Sequence, residues 1–143
     1  MIPYQTKLTH RWQCWRGSLK DLEKISIPRC YRPQEFGTIV RAELHAFCDA
    51  SQDAITAAVY LRLQDDRNQT SVSLVYGQAK VAPLHPYNVS TPDQWRHVES
   101  ERNPADLPTR GVHPSKLMES DWLHGPTFLR SGADITHVIR DRP

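Results

Sequence analysis

Leu8, Trp12, Trp15, Leu19, Leu22 and Ile25 recur at spacings of three and four residues, which predicts an amphipathic helix opening near Thr9. Ile27-Pro28-Arg29 stops it, because a residue before proline is pushed toward extended geometry, and residues 26–40 then link helix to sheet. In Leu44-His45-Ala46-Phe47-Cys48-Asp49-Ala50, apolar Leu44, Ala46 and Cys48 alternate with His45, Phe47 and Asp49, a mostly buried strand that ends on a carboxylate. Residues 56–63 and 71–78 are further strand candidates, separated by the polar stretch 64–70, and a three-stranded antiparallel meander is the natural arrangement. Pro83, Pro86 and Pro92 mark a loop or junction. Gln94 to Val98 predicts one further strand, and Pro104 opens a short helix that Gly111 and Pro114 close. Leu117, Trp122, Phe128 and Leu129 form a last apolar cluster, whereas the tail from Ser131 to Pro143 has no period and is expected to fray. The fold class is α+β.

A chain of 143 residues with 38% hydrophobic positions supports one ordinary domain. Its net charge of +2 is too weak to argue nucleic-acid binding without clustering. Cys14, Cys30 and Cys48 form an odd set without C-x-x-C spacing, and no charged-then-apolar leader follows Met1, so an intracellular, reducing location is expected, with the thiols as core filler. No apolar run approaches membrane-spanning length. The seven histidines include no pair at zinc-ligand spacing. Trp12 and Trp15 share their stripe with leucines, which places them in the core rather than under stacked bases.

Chemistry rests on two acids, Asp49 and Asp106. A desolvated carboxylate needs a partner or a metal. Taken by itself, Asp49 before Ala50-Ser51 reads first as a turn cap and second as a metal ligand. Asp106, in Asn103-Pro104-Ala105-Asp106, equally fits an acid in the first turn of its helix, favoured by the helix dipole.

The ordered motifs Trp12-x-x-Trp15, Ile27-Pro28-Arg29, Glu43-Leu44-His45-x-Phe47-Cys48-Asp49-Ala50-Ser51, Val59-Tyr60-Leu61 and Ala79-Lys80-Val81-Ala82-Pro83-Leu84 cover more than half the chain. Together they resemble the polymerase polyprotein of BEL/Pao long-terminal-repeat retrotransposons, a region also catalogued under a retrotransposon peptidase name. Trp95-Arg96-His97-Val98, Asn103 to Gly111 and Trp122-x-x-Gly125-Pro126-x-Phe128-Leu129 are similar to the end of the same region. The resemblance implies a division into a reverse transcriptase or connection-like helix and linker (1–40) and the N-terminal half of an RNase H-like domain (41–84). A junction (85–94), the C-terminal part of that domain (95–130) and a tail (131–143) follow. It also implies an incomplete mixed sheet, because the segments that carry two of the family's four site carboxylates are missing between Leu84 and Trp95.

RNase H-type hydrolysis uses two Mg²⁺ ions roughly 3.5–4 Å apart, held by carboxylates. Asp49 and Asp106 remain as the implied catalytic and metal-binding pair, enough for one weakly held Mg²⁺ at most. Glu43 shares the strand face of Asp49 but lies about 20 Å away at the rise of an extended strand. The expectation is therefore a catalytically inactive remnant whose ancestral activity was RNase H-type cleavage. Active cleavage of RNA–DNA hybrids is the first alternative. A binding module is the second, with Lys80, Arg96, Arg102, Arg110 and Lys116 along a groove for a hybrid or other nucleic acid. An aspartic peptidase is disfavoured, because neither acid stands in an Asp-Thr-Gly or Asp-Ser-Gly loop. Missing helices are expected to leave one sheet face uncovered.

Overall fold

The computed structural model describes residues 4–83 and 96–131. The junction 85–94, the strand residues Gln94 and Trp95, and the tail beyond Ser131 lie outside the described residues.

Three strands of twelve residues each form an antiparallel sheet in the order β1-β2-β3: β1 is Ile39–Ala50, β2 is Ala54–Asp65 and β3 is Thr70–Val81. The meander expected from the alternation is present, and each strand is longer than its apolar run. In the register Glu43 faces Arg62, His45 faces Tyr60, Phe47 faces Ala58 and Asp49 faces Thr56. Because strand side chains alternate between faces, these eight residues share one side of the sheet.

That side is the covered one. Thr56, Ala58, Tyr60 and Arg62 are buried, as is Phe47, whereas Leu44 is 69% exposed. The strand expected to be mostly buried is buried only at Phe47, and the parity of Leu44, Ala46 and Cys48 is exposed. Large Phe47 and its partners on β2 meet the chain that follows residue 96, while small Ala46 and Cys48 offer little area to bury. On the opposite face Leu44, Ile55 and Tyr76 are exposed among the described residues.

The cover consists of α2 (Asp106–Arg110), α3 (Pro114–Leu117), α4 (Asp121–His124) and α5 (Thr127–Arg130). Leu129 and Ala105 are fully buried against Phe47, Ala58 and Tyr60, with Trp122 and Phe128 packed alongside. Phe47 meets Tyr60 and Phe128 edge-on, at ring separations of 5.8 and 6.1 Å. The Tyr60 hydroxyl lies 3.1 and 2.9 Å from the carbonyls of Asp121 and Trp122, so its one proton ties α4 to β2. Close approach is made possible by glycine. A Cβ on Gly77 would stand 2.8 Å from the Trp122 ring, and one on Gly125 (φ +73°) would stand 2.6 Å from Val72.

The short helix after Pro104 forms as expected and ends at Gly111 (φ +81°). Of the further strand expected over 94–98, only Arg96, His97 and Val98 fall among the described residues, and there His97 makes an isolated bridge. The N-terminal helix α1 spans Tyr4–Ser18, opening earlier than Thr9, and continues as a 3-10 turn over Leu19–Lys24. Its stripe is not core. Leu8, Trp12 and Trp15 are 46%, 58% and 48% exposed, because α1 packs mainly on its own 3-10 continuation, and it is that continuation which meets α3. Cys14, Cys30 and Cys48 are free and exposed rather than core filler.

Asp65, at the end of β2, organises the opposite end of the molecule. Its buried carboxylate accepts the backbone N–H groups of Gly37 (2.9 Å), Gln69 (2.7 Å) and Arg67 (3.0 Å), joining the turn of the hairpin to the linker that enters β1. Burial by itself would raise this carboxyl, but the three amides and the Arg67 charge outweigh it and hold it below the usual 3.8.

Two stability outcomes follow from this packing. Leu129→Ala is expected to lower the unfolding free energy by about 2–4 kcal/mol, read by urea denaturation, because it empties a closed site between α5 and β2. Asp65→Ala is expected to remove about 2–3 kcal/mol near neutral pH by stranding three amides. The depressed carboxyl stabilises the fold fully above its unfolded value near 3.8, and that contribution is lost as pH falls through the lower folded value. The wild-type chain should therefore lose more stability below about pH 4 than Asp65→Ala does.

Candidate functional site

Asp49 is the penultimate residue of β1, half-buried on the covered face and paired in register with Thr56 of β2. Asp106 opens α2, a segment more than fifty residues later in the chain. The structure brings them to the same end of the sheet through a short polar segment. Asn103 donates its side-chain N–H to the Cys48 carbonyl (3.0 Å), and its Oδ1 accepts the Ala105 amide (3.1 Å). Pro104 and Ala105 are buried, and the Thr56 hydroxyl donates to the Ala105 carbonyl. Asn103, Pro104 and Ala105 are thus the dock that sets Asp106 down beside the end of β1.

The two acids are linked through Thr109. Its hydroxyl lies 2.7 Å from Asp49 Oδ2 and 2.8 Å from the Asp106 carbonyl oxygen, sharing one proton between two acceptors. The Asp106 carboxylate turns to Arg110, whose Nε stands 2.8 Å from Oδ2 one helical turn on. A depression of about 430 Å³ is lined by Asn103, Asp106, Arg110 and Asp121, but not by Asp49. Asp121 is itself paired with Arg130 at 3.2 Å. A larger cavity, of about 690 Å³, lies between Ser26–Gln34, the start of β3 and α4 and contains neither aspartate.

A second charged cluster stands further back along β1. Arg62 is 5% exposed, donating its Nε–H to the Leu129 carbonyl (3.0 Å) and an Nη1–H to Glu43 Oε2 (2.7 Å). Arg41 reaches the other Glu43 oxygen at 2.6 Å. Burial would raise the Glu43 carboxyl, but the hydrogen bonds and charges of Arg62 and Arg41 outweigh it and hold it low. His45 Nε2 is buried without a hydrogen-bond partner, 3.7 Å from Glu43, and burial keeps its imidazole below the ordinary value against the pull of that carboxylate. Glu43 is therefore spoken for by arginines and is no substitute ligand near Asp49.

The donor set does not fit a paired Mg²⁺ centre. Magnesium takes near-ideal octahedral oxygen ligation. Here one Asp49 oxygen accepts a hydroxyl, and the Asp106 carboxylate sits against a guanidinium whose charge opposes a cation. No group of three or more His, Cys, Asp or Glu residues converges to hold a metal among the described residues. The five cations expected along one groove do not all share one: Arg102 and Arg110 border the same depression, with Arg110 committed to Asp106, whereas Lys80 stands opposite Ile55, on the other face of the sheet.

Sequence reasoning picked out Asp49 and Asp106, and the structure places them at one end of the sheet. It missed Thr109 and Thr56 as their supports, and it quoted Asn103 without its docking role. The signal for Arg62 was available, as a cation inside the apolar run Val59-Tyr60-Leu61-Arg62-Leu63. Thr109 carried none, because only the tertiary approach of α2 to β1 gives its hydroxyl an acceptor.

No curated protein and no solved structure matches the chain. A family model described as the Pao retrotransposon-like RNaseH-like domain matches residues 2–94, ending before the Asn103–Arg110 segment. That match takes in α1, the linker and the whole meander with Asp49, and by it the chain belongs to the Pao retrotransposon RNase H-like family.

Proposed function

We propose that this chain is a non-catalytic RNase H-like domain of a Pao-type retrotransposon polyprotein. The observation that carries the reading is the closure of both remaining acids by protein partners, Asp49 by Thr109 and Asp106 by Arg110. Two-metal phosphoryl transfer needs carboxylates that hold both ions and leave room for an attacking water and a leaving oxygen. Two acids, each already engaged, supply neither the charge nor the ligand number. The Asp49–Thr109 bond acts instead as a clasp between β1 and α2. Its effect is to hold the C-terminal helices on the sheet.

The three exposed thiols fit a reducing compartment, and the proposal places the protein inside the cell. Among the described residues, no helix is long and apolar enough to cross a membrane.

The direct test is cleavage of a labelled RNA–DNA hybrid by the purified, folded chain in Mg²⁺ and in Mn²⁺. The expected outcome is no cleavage above that of Asp49→Asn. Metal-dependent cleavage lost in Asp49→Asn would establish an active ribonuclease and overturn the reading. The clasp has its own measurement: Thr109→Val should lower unfolding stability by about 1 kcal/mol. It should also speed amide hydrogen exchange across residues 106–110, with no gain of cleavage.

A further inference from the structure

We infer that α1 is a binding arm for single-stranded nucleic acid, with Trp12 and Trp15 as its stacking platforms. This site is separate from the Asp49 end of the sheet and does not depend on whether that end is catalytic.

The first observation is exposure. Trp12 and Trp15 are 58% and 48% exposed, and Leu8 beside them is 46% exposed. Their rings lie 5.0 Å apart and tilted by 30°, one over the next along the helix. Large aromatic rings left in water are costly unless they meet a partner.

The second observation is charge. The first twenty residues contain Lys7, Arg11, Arg16 and Lys20 and no acid. At 3.6 residues per turn, Leu8, Trp12 and Trp15 share an arc of about 60°, with Arg11 and Arg16 within about 40° of it on either side. A second copy of this helix would bring like charges together, so the partner is a polyanion.

The arrangement of those charges selects the kind of polyanion. A helix that lies in a membrane surface sets a broad apolar face against a polar one, and α1 has almost no such segregation beyond the short stripe of Leu8, Trp12 and Trp15. Arginines border the aromatic rings themselves. Rings for stacking with cations alongside for phosphates is the surface that holds unpaired strands, in which bases are free to leave their neighbours. Duplex bases, already stacked, offer these rings no face.

The experiment is fluorescence anisotropy of a short labelled oligothymidylate titrated with the full chain at several salt concentrations. Binding is expected to weaken with salt at a log–log slope of about −2, as three phosphate contacts on a single strand give. Trp12→Ala and Trp15→Ala should each weaken binding about tenfold, Phe at either position should restore most of it, and Arg11→Ala should reduce the slope by about 0.7. Helix content is followed by circular dichroism, and the Phe variants keep the test sharp should an Ala variant disturb α1. Equal binding by wild-type and Trp→Ala chains would overturn the inference. So would preferential binding to duplex of the same length, to anionic phosphatidylserine vesicles, or to a second copy through these tryptophans.

Discussion

A buried guanidinium decides how this molecule is put together. Arg62 sits in the middle strand with almost no contact with water, and a cation so placed must be both neutralised and hydrogen-bonded. Glu43 on β1 supplies the charge, and the carbonyl of Leu129 on α5 supplies an acceptor. One side chain therefore joins two strands and the last helix. Removing Glu43 would leave the cation buried and uncompensated, so the pair specifies which face the C-terminal segment covers. Tyr60, two residues back on the same face, repeats the arrangement by donating to the carbonyls of α4. Together they compensate for helices too short to be stable by themselves.

With that face covered, the geometry at the other end of the strand follows. Asp49 shares the parity of Glu43, so it turns toward the same layer and meets α2. Asn103, Pro104 and Ala105 seat the loop, Thr56 holds its carbonyl, and Thr109 closes on the carboxylate. On the proposed reading this arrangement serves as a fastening. One oxygen of each carboxylate is engaged, Asp49 Oδ2 by a hydroxyl and Asp106 Oδ2 by a guanidinium.

The strands were legible in the sequence because period-two alternation and a polar turn define a hairpin whatever covers it. The covered face was not. Ala46 and Cys48 on one parity and His45 and Phe47 on the other look alike until the partner layer is known, and that layer comes from single-turn helices without a periodic signal of their own. The N-terminal helix was legible as a helix, yet its spacing marked Leu8, Trp12 and Trp15 as core when they face water. Counting apolar spacings passes over the arginines that border the stripe. The two acids were visible through their motifs, whereas Thr109 depends on a contact across sixty residues of chain.

On the proposed reading the Asp49 carboxylate is held by protein and not available to a metal pair. Titrating Mn²⁺ into the isotope-labelled chain while following amide signals distinguishes the two states, because a bound paramagnetic ion broadens only its neighbours. Uniform, weak broadening across the surface at sub-millimolar Mn²⁺ is expected. Selective loss of the signals of residues 48–50 and 105–107, abolished by Asp49→Asn, would contradict it.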